Sequence, residues 1–129
     1  MYEKLTDVAL LENEFIGPSL IGAIEIESDG QYVFQGALVL TTERLFVILE
    51  KSDGGVVHHQ IDYTDISIVT VESRVLSGKI LNFWIGRKIE VSMNVLSEKK
   101  LNKFLMFYRK HRARALKFDK MRYEKTYQI

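Results

Sequence analysis

Cysteine is absent from the 129 residues of this chain. A disulfide scaffold, a thiol nucleophile, a cysteine-held iron–sulfur cluster and a cysteine-ligated zinc site are therefore excluded. The chain also lacks an apolar run close to the roughly 18 residues that a membrane span needs. Its first residues have no basic stretch followed by a long apolar core, so we expect no signal peptide. These absences predict a soluble, cytoplasmic protein.

Signatures of catalysis are missing as well. The glycine pair at 54–55 is not followed by the Lys-Ser/Thr of a phosphate-binding loop, and no G-x-S-x-G nucleophile elbow is present. Acid–base catalysis requires a pocket that separates the pKa values of two carboxylates. Nothing beside the pairs Glu25/Glu27 and Asp62/Asp65 predicts such a pocket. We expect no enzymatic activity and no cofactor.

Three histidines are the remaining candidates for a metal site. His58 and His59 are adjacent on a predicted strand, and neighbours on a strand point to opposite faces. They cannot chelate one ion together without a bulge, and His111 lies on a predicted helix. We therefore predict no metal site, with one histidine of the pair exposed and the other packed.

The net charge of +1 conceals an uneven distribution. Residues 1–98 contain 7 Lys/Arg and 15 Asp/Glu, a balance of −8, whereas residues 99–129 contain 11 Lys/Arg and 2 Asp/Glu, a balance of +9. Such asymmetry predicts that the basic C-terminal part contacts something acidic. Nucleic acid, a membrane surface and the acidic body of the protein itself are the three candidates.

The length and the hydrophobic fraction of 47% predict a single globular domain, residues 1–129. Apolar residues at helical spacing predict a short N-terminal helix within residues 1–14, which Gly17-Pro18-Ser19 ends. A period of two then predicts a β-barrel or sandwich over residues 15–96. Its strands are predicted at 20–27, 32–41, 45–50, 56–61, 66–72, 79–85 and 88–93.

The pattern changes to a helical period after Ser97, a predicted N-cap. Leu101, Phe104, Leu105 and Tyr108 follow at i, i+3, i+4 and i+7, which predicts an amphipathic helix. No glycine or proline interrupts it before the last residue. We therefore predict one long C-terminal helix over residues 97–129, whose second half is a basic extension.

The stretch at residues 36–50, GALVLTTERLFVILE, is apolar on both faces of two predicted strands. In the second strand Leu45 and Val47 point one way, while Phe46 and Ile48 point the other way. A hairpin turn is predicted at residues 41–44. Because both faces of these strands are apolar, both must be covered. We expect one face to line a barrel and the other to lie under a lid, either the N-terminal segment or a second copy of the chain.

Two segments resemble bacterial pleckstrin-homology (PH)-like domains of the YokE-like, GRAM-related kind. Residues 36–45 resemble the G-x-L-x-x-T-x-x-R-L motif of those domains, and residues 61–69 resemble their later Y-x-x-I-x-x-V segment. The resemblance covers roughly residues 12–110. The residues that carry it, for which it implies a structural role, are Gly36, Thr41, Arg44, Tyr63 and Ile66.

This resemblance implies a mainly β fold with a C-terminal α-helix. The expected structure is a PH-like barrel of about seven antiparallel strands in two near-orthogonal sheets, with the helix plugging one open end. It also implies a binding platform for lipids or proteins. In lipid-binding members the first strand–turn–strand carries basic residues, whereas here residues 25–32 carry Glu25, Glu27 and Asp29. An inositol phosphate at that turn would contact carboxylates.

Basic residues elsewhere are the candidates for contact with a partner. Two neighbouring predicted turns carry basic residues that either form a small anion patch or serve as solubilising charge. The C-terminal helix carries a larger basic set. The turn residues are Arg74, Lys79, Arg87 and Lys88, and the helix residues are Arg109, Lys110, Arg112, Arg114 and Lys117.

Three hypotheses follow for the function. The first is a non-catalytic module that binds an unidentified protein and self-associates, with the extension lying across the acidic sheet of another copy. The second is peripheral binding to anionic membrane lipid through the basic helix together with Arg87 and Lys88. The third is nucleic-acid binding by the same helix.

Overall fold

The computed structural model describes residues 8–74 and 78–127, with side chains as far as Phe118. These residues form seven strands, a 3-10 turn and a long α-helix. In chain order the elements are β1 (Ile16–Glu27), β2 (Gln31–Thr41), β3 (Arg44–Glu50), β4 (Val56–Asp62), the 3-10 turn (Tyr63–Asp65), β5 (Ile66–Arg74), β6 (Gly78–Ile85), β7 (Ile89–Val95) and α1 (Glu98–Tyr127).

All seven strands are hydrogen-bonded into one antiparallel sheet with the order β4-β3-β2-β1-β7-β6-β5. The long strand β1 pairs with β2 from Ile16 to Glu27, but with β7 only through Ile24–Glu27. It thereby joins the half formed by β2–β4 to the half formed by β5–β7. The two predicted sheets are therefore halves of one continuous sheet, and residues of both halves pack in a single core.

Helix α1 covers this core with the apolar side that its sequence spacing predicts. Leu101, Phe104, Leu105 and Tyr108 are all buried. The rings of Phe104 and Tyr108 pack edge-on against Phe83, with centroids 6.2 and 5.6 Å away. Each such side chain contributes about 1.5–3 kcal/mol when it leaves water. The helix is therefore part of the domain core and fixes the position of the groups along it.

The predicted fold class is confirmed. All seven predicted strands are present, and the helix begins at Glu98, directly after the predicted N-cap. Ser97 fills that role because its Oγ accepts a hydrogen bond from the backbone N–H of Lys100 at 3.2 Å. For the seven strands and for α1, the period of the hydrophobic pattern was thus a sufficient guide to element type.

The predicted N-terminal helix is wrong over the described residues 8–14, which contain no helical turn; residues 1–7 of that prediction lie outside the described residues. A tight turn stands in its place. The amide of Glu14 donates to the Leu11 carbonyl at 3.0 Å, and the amide of Leu11 donates to Glu14 Oε1 at 2.8 Å. Asn13 adopts a positive φ of 66°. The buried contacts of Glu14 described below require this turn, so tertiary structure overrides local helical spacing.

The predicted break at Gly17-Pro18-Ser19 is also wrong, because these residues lie inside β1. The register of β1 against β2 shifts between Ile16 and Ser19. A proline cannot donate a ladder hydrogen bond and is tolerated at such a bulge. The strand therefore begins at Ile16, four residues earlier than the predicted position 20.

The N-terminal segment covers the second apolar face of the β2–β3 hairpin, as one of the two predicted lids. On this face Ala37, Val39, Phe46 and Ile48 form a small cluster, none more than 2% exposed. Val8 packs against that cluster. This face is therefore covered within one chain, and a second copy is not needed there.

Candidate functional site

The β2–β3 hairpin contains the first half of the motif. Gly36 pairs with Leu49 of β3 and with Gly22 of β1. A Cβ atom on Gly36 would overlap the carbonyl oxygen of Ile48. Glycine is therefore required at position 36 because the backbone of β3 approaches it too closely for any side chain.

A buried ion pair ties the N-terminal segment to this hairpin. Arg44 donates from Nε to Glu14 Oε2 and from Nη2 to Glu14 Oε1, both at 3.0 Å. Thr41 Oγ1 donates to Glu14 Oε2 at 2.5 Å and accepts from the Arg44 amide at 3.0 Å. Arg44 also donates to the Ala9 carbonyl at 3.1 Å and to Gln60 Oε1. We call Glu14, Thr41 and Arg44 the clasp.

The clasp is closed to solvent and fully paired at its carboxylate. The side chain of Glu14 is 0% exposed, and that of Arg44 is 12% exposed. Burial alone would raise the pKa of Glu14. Hydrogen bonds from Arg44, Thr41 and the Leu11 amide, together with the charge of Arg44, outweigh burial and lower this pKa below 4.5. The guanidinium also lies 4.8 Å from the centroid of the Phe46 ring. The clasp is therefore a structural joint.

The second half of the motif lies beneath α1. Tyr63, 1% exposed, donates its hydroxyl hydrogen to the carbonyl of Thr41. Its ring packs edge-on against Tyr108, with centroids 5.7 Å apart. Burial raises the pKa of Tyr63, as do the neighbouring Tyr108, Glu14 and Glu43. Ile66 is equally buried where β5 begins. In this geometry the motif residues connect the hairpin, the 3-10 turn and the helix.

The four basic residues of the predicted turns do not lie in one patch. Arg74 and Lys79 flank the β5–β6 connection, whereas Arg87 and Lys88 follow the other end of β6. A strand rises about 3.3 Å per residue, so the two pairs are roughly 25 Å apart. Arg74 and Lys79 also form surface ion pairs with glutamates, at 3.7 and 2.7 Å. Arg87 and Lys88 are exposed, and no ion pair to a described residue engages them.

The β6–β7 turn that carries Arg87 and Lys88 adjoins the middle of α1. The amide of Gly86 in this turn donates to the Asp65 carbonyl at 3.0 Å. Arg112 Nη2 donates to the carbonyl of Ile66, the next residue, at 3.2 Å. One end of the molecule therefore brings together this turn, the start of β5 and the basic part of α1.

The basic residues of α1 differ in their surroundings. Arg112 is half-buried and held by β5. The other four are exposed, and none of them forms an ion pair with a described residue. These four are Arg109, Lys110, Arg114 and Lys117.

The buried side of α1 carries polar atoms that the helical spacing of the sequence did not predict. Tyr108 Oη, His111 Nδ1 and Arg112 Nε are all buried, and no described residue hydrogen-bonds to any of them. Burial raises the pKa of Tyr108 to about 12, although the charge of Arg112 acts in the opposite direction. The sequence placed Tyr108 in the core but carries no signal that its hydroxyl would lack a partner there.

Two grooves flank α1 at the level of these atoms. The first, about 320 Å³, lies between α1 and the β2–β3 turn and includes Glu43, His111 and Arg114 in its lining. Burial lowers the pKa of His111, as do the charges of Lys110 and Arg114, whereas Glu43 acts to raise it. The ring of Phe107 lies 4.3 Å from the imidazole. This first groove therefore carries charges of both signs.

The second groove, on the β5 side of α1, also measures about 320 Å³. We call it the arginine groove because Arg109 and Arg112 are its charged lining residues. Its other lining residues are Ser67, Val69, Tyr108, Ala113 and Leu116.

The outer face of the sheet is acidic. Glu25 and Glu27 of β1, Glu90 of β7 and Glu72 of β5 line a depression of about 290 Å³, with Arg74 as the basic residue in that lining. Glu27 pairs directly with Glu90 across the strands. We call these four glutamates and their surroundings the acidic face. It includes the β1 strand whose acidity argued against an inositol phosphate.

The described parts of the chain show neither a metal cluster nor a spanning helix. Within residues 8–74 and 78–127, no group of three or more metal-ligating side chains is placed to hold an ion. In the same residues no helix has the length and apolarity to cross a membrane. His58 is half-buried and His59 exposed, on opposite faces of β4.

Comparisons with known proteins agree with this architecture. No curated protein matches the chain. Among solved structures, the N-terminal PH domain of Vps36 superposes with a TM-score of 0.60 at 15% identity, covering 84% of this chain and 86% of that one. The PH domain of USP37 gives 0.56 at 16% identity, with 74% and 97% covered. A DUF1696 family protein with a PH domain from Shewanella loihica PV-4 gives 0.54 at 21% identity, with 81% of each chain covered.

At these identities the structural similarity shows the PH fold and nothing more. The family evidence comes from the sequence itself. A model of the family described as "Bacterial PH domain" matches residues 10–110, well over half of the chain. Proteins of this kind are generally non-catalytic binding modules. The chain belongs to the bacterial PH domain family.

Proposed function

We propose that the protein is a non-catalytic binding module of the YokE-like, GRAM-related kind that acts through protein–protein contacts and self-associates through the end of α1. The length of α1 is the observation that supports this. Ala115 is the last helix residue with a described side chain that packs on the core. The helix nevertheless continues to Tyr127, a further rise of about 18 Å.

The start of this extension is both apolar and basic. Leu116 and Phe118 are 38% and 66% exposed. Lys117 between them is exposed as well. An exposed apolar side chain next to a cation suits burial on a surface that is itself part apolar and part acidic.

The acidic face of a second copy has this character. Its four glutamates surround a depression that also contains Ala23 and Ile80. Residues 116–129 contain 4 Lys/Arg and 2 Asp/Glu, a balance of +2, and residues 1–98 carry a balance of −8, so the extension of one copy and the face of the next are complementary. A reciprocal exchange of extensions between two copies would close a two-fold dimer, whereas a one-way contact would build a ring or a filament.

Light scattering on three versions of the protein tests this proposal. We expect the full chain to be an oligomer, and both a variant ending at Ala115 and the double change Glu25→Lys/Glu27→Lys to be monomeric. Asp53→Lys, on the exposed β3–β4 turn, is the control and should stay oligomeric. A monomeric full chain, or an oligomer that survives both changes, would refute self-association by this route.

Peripheral binding to an anionic membrane is the second candidate. The geometry that favours it is the proximity of the β6–β7 turn, with Arg87 and Lys88, to the basic part of α1. We expect vesicles rich in phosphatidylglycerol to sediment the protein at low salt and less so at high salt. The triple change Arg109→Glu, Lys110→Glu, Arg114→Glu should abolish sedimentation, and retained sedimentation would exclude this candidate. A gel shift under the same conditions tests nucleic-acid binding by the same residues.

A further inference from the structure

The lining of the arginine groove is unusual because all of its charged residues are basic. Arg109, Arg112, Ala113 and Leu116 follow each other at i, i+3, i+4 and i+7, so they share one face of α1. Ser67 and Val69 of β5 form the opposite wall. No aspartate or glutamate belongs to this lining. The groove therefore combines two cations with an apolar floor.

The positive charge of the groove is uncompensated within the described chain. Arg112 is held in place because its Nη2 donates to the Ile66 carbonyl at 3.2 Å. Its buried Nε has no partner among the described residues. Arg109 is exposed and forms no ion pair with a described residue. Two like charges one helical turn apart repel each other, so an anion between them would stabilise the helix as well as bind.

Tyr108 adds a second buried donor beside the two guanidinium groups. The residue is 3% exposed, and its ring is fixed by edge-on contacts with Tyr63 and Phe83 at 5.7 and 5.6 Å. Its hydroxyl has no hydrogen-bond partner among the residues that the structure describes. Buried polar atoms are almost always paired in folded proteins, with protein, water or ligand. Tyr108 and Arg112 both line the groove, and Tyr108 Oη and Arg112 Nε lack an acceptor. Both atoms are covered in this structure, so a ligand reaches them when these side chains shift toward the groove.

We propose that the arginine groove binds a phosphate group. A phosphate monoester carries a charge of about −1.5 to −2 near neutral pH, which matches two guanidinium groups. Arginine recognises phosphate through paired N–H donors, and a tyrosine hydroxyl can supply a further one. A volume of about 320 Å³ admits the phosphate and a few atoms beyond it, which Val69, Ala113 and Leu116 would contact. A soluble phosphate ester and a phospholipid headgroup share this chemistry.

This site goes beyond the proposed self-association and does not depend on it. Apart from Leu116, its lining residues precede the extension, whereas self-association was assigned to the extension and the acidic face. It also lies apart from the acidic β1–β2 region, where carboxylates would oppose a phosphate.

Titration of the full chain with inorganic phosphate, at constant ionic strength maintained with chloride, tests the proposal. We expect saturable changes in the amide NMR signals of residues 66–69 and 108–116. Arg109→Gln should weaken binding about tenfold or more, and Tyr108→Phe should weaken it several-fold. Arg74→Gln, an identical change at the far end of β5, is the matched control and should leave binding unaltered. Light scattering of these variants should be unchanged, so failure here and failure of self-association are distinguishable.

Two outcomes would overturn the proposal. One is the lack of any saturable response to phosphate above that to chloride. The other is a response that Arg109→Gln and Tyr108→Phe alter no more than Arg74→Gln does. Because Arg112 also contacts β5, the proposal is tested without changing it, and thermal unfolding confirms that each variant is folded.

Vesicles identify the source of the phosphate once binding is established. Sedimentation with phosphatidic acid above that with phosphatidylserine, lost in Arg109→Gln and Tyr108→Phe, would support a lipid headgroup. Binding of inorganic phosphate without preference for phosphatidic acid would support a soluble phosphate ester.

Discussion

The clasp and the middle of α1 both bury polar groups, with opposite results. In the clasp, each carboxylate oxygen of Glu14 accepts two hydrogen bonds, and the charge of Arg44 is paired. In residues 108–112, three buried polar atoms have no partner among the described residues. A fully paired cluster is complete as it stands. An unpaired one retains hydrogen-bonding capacity that a ligand can use, which is why we assign structure to the clasp and binding to the helix.

The same contrast predicts how each region responds to substitution. Removing one member of a buried ion pair leaves the other charge uncompensated in a poorly solvated place. Removing a buried hydroxyl that has no partner removes a desolvation cost and no bond. We therefore expect the clasp to be sensitive and the unpaired tyrosine to be tolerant, with the following tests ordered from the largest effect to the smallest.

Loss of the clasp carboxylate should have the largest effect. Glu14→Ala leaves the Arg44 guanidinium without its counter-charge, removes one acceptor of the Thr41 hydroxyl and weakens the attachment of the N-terminal segment to the hairpin. We expect the free energy of unfolding, measured by urea titration, to fall by about 3 kcal/mol or more. Glu12→Ala, two residues away and exposed, should change it by no more than about 0.5 kcal/mol. If Glu14→Ala lowers the free energy of unfolding by less than about 1 kcal/mol, the clasp contributes no more than a solvent-exposed ion pair does.

The hairpin beneath the clasp gives the next test. In Gly36→Ala the new Cβ overlaps the Ile48 carbonyl, so β2 and β3 must separate. We expect a loss of about 1–3 kcal/mol or more by urea titration. Gly22→Ala is a matched control because Gly22 pairs with Gly36 across the strands, yet its Cβ would lie 3.9 Å from the nearest atom, Met93 Cγ. Equal effects at the two positions would show that the close approach at Gly36 relaxes without cost.

Glu14 in the clasp and His111 in α1 should also make the free energy of unfolding depend on pH in different ranges. The pKa of Glu14 is lowered from 4.5, so the unfolded chain binds a proton first and the clasp loses stability as the pH falls below 4.5. The pKa of His111 is lowered from 6.5, so by the same sign its contribution is present above pH 6.5 and is lost as the pH falls below that value. Protonation of Glu14 or of His111 on acidification therefore lowers the free energy of unfolding.

Urea titrations at a series of pH values separate the two contributions. His111→Gln should flatten the dependence just below pH 6.5, and Glu14→Gln should flatten it only below pH 4.5. The His111 effect should be the smaller one, because the imidazole is not part of an ion pair. An unchanged slope below pH 6.5 in His111→Gln would mean that the folded protein accommodates the protonated ring, for example through Glu43.

The sequence was a reliable guide wherever a repeating pattern decided the structure. Alternation predicted the strands, and the spacing of Leu101, Phe104, Leu105 and Tyr108 predicted the side of α1 that packs on the core. The N-terminal helix failed because a single long-range contact, from Glu14 to Arg44, outweighed local spacing across residues 8–14. The local pattern of residues 1–14 carries no information about Arg44, which lies 30 residues further along the chain.

The candidate site was harder to predict because it depends on which segments meet. The sequence identified the basic residues individually but grouped Lys79 with Arg87, which lie at opposite ends of β6. It could not place Arg112 against the Ile66 carbonyl, 46 residues away in the chain. The unpaired hydroxyl of Tyr108 was equally hidden, because apolar spacing records that a side chain is buried and not whether its polar atom has a partner.

The smallest expected effect is the sharpest test of the contrast between the two regions. Tyr63 and Tyr108 are both buried and pack against each other, but only Tyr63 has an acceptor for its hydroxyl, the Thr41 carbonyl. In urea titrations without phosphate, Tyr63→Phe should cost about 1 kcal/mol, whereas Tyr108→Phe should change stability by less than about 0.5 kcal/mol or raise it. With phosphate present, the wild-type chain should gain stability and Tyr108→Phe should gain less. Equal losses at both tyrosines in the absence of phosphate would show that the Tyr108 hydroxyl is already paired, by ordered water, and the distinction between a complete joint and an incomplete binding site would be lost.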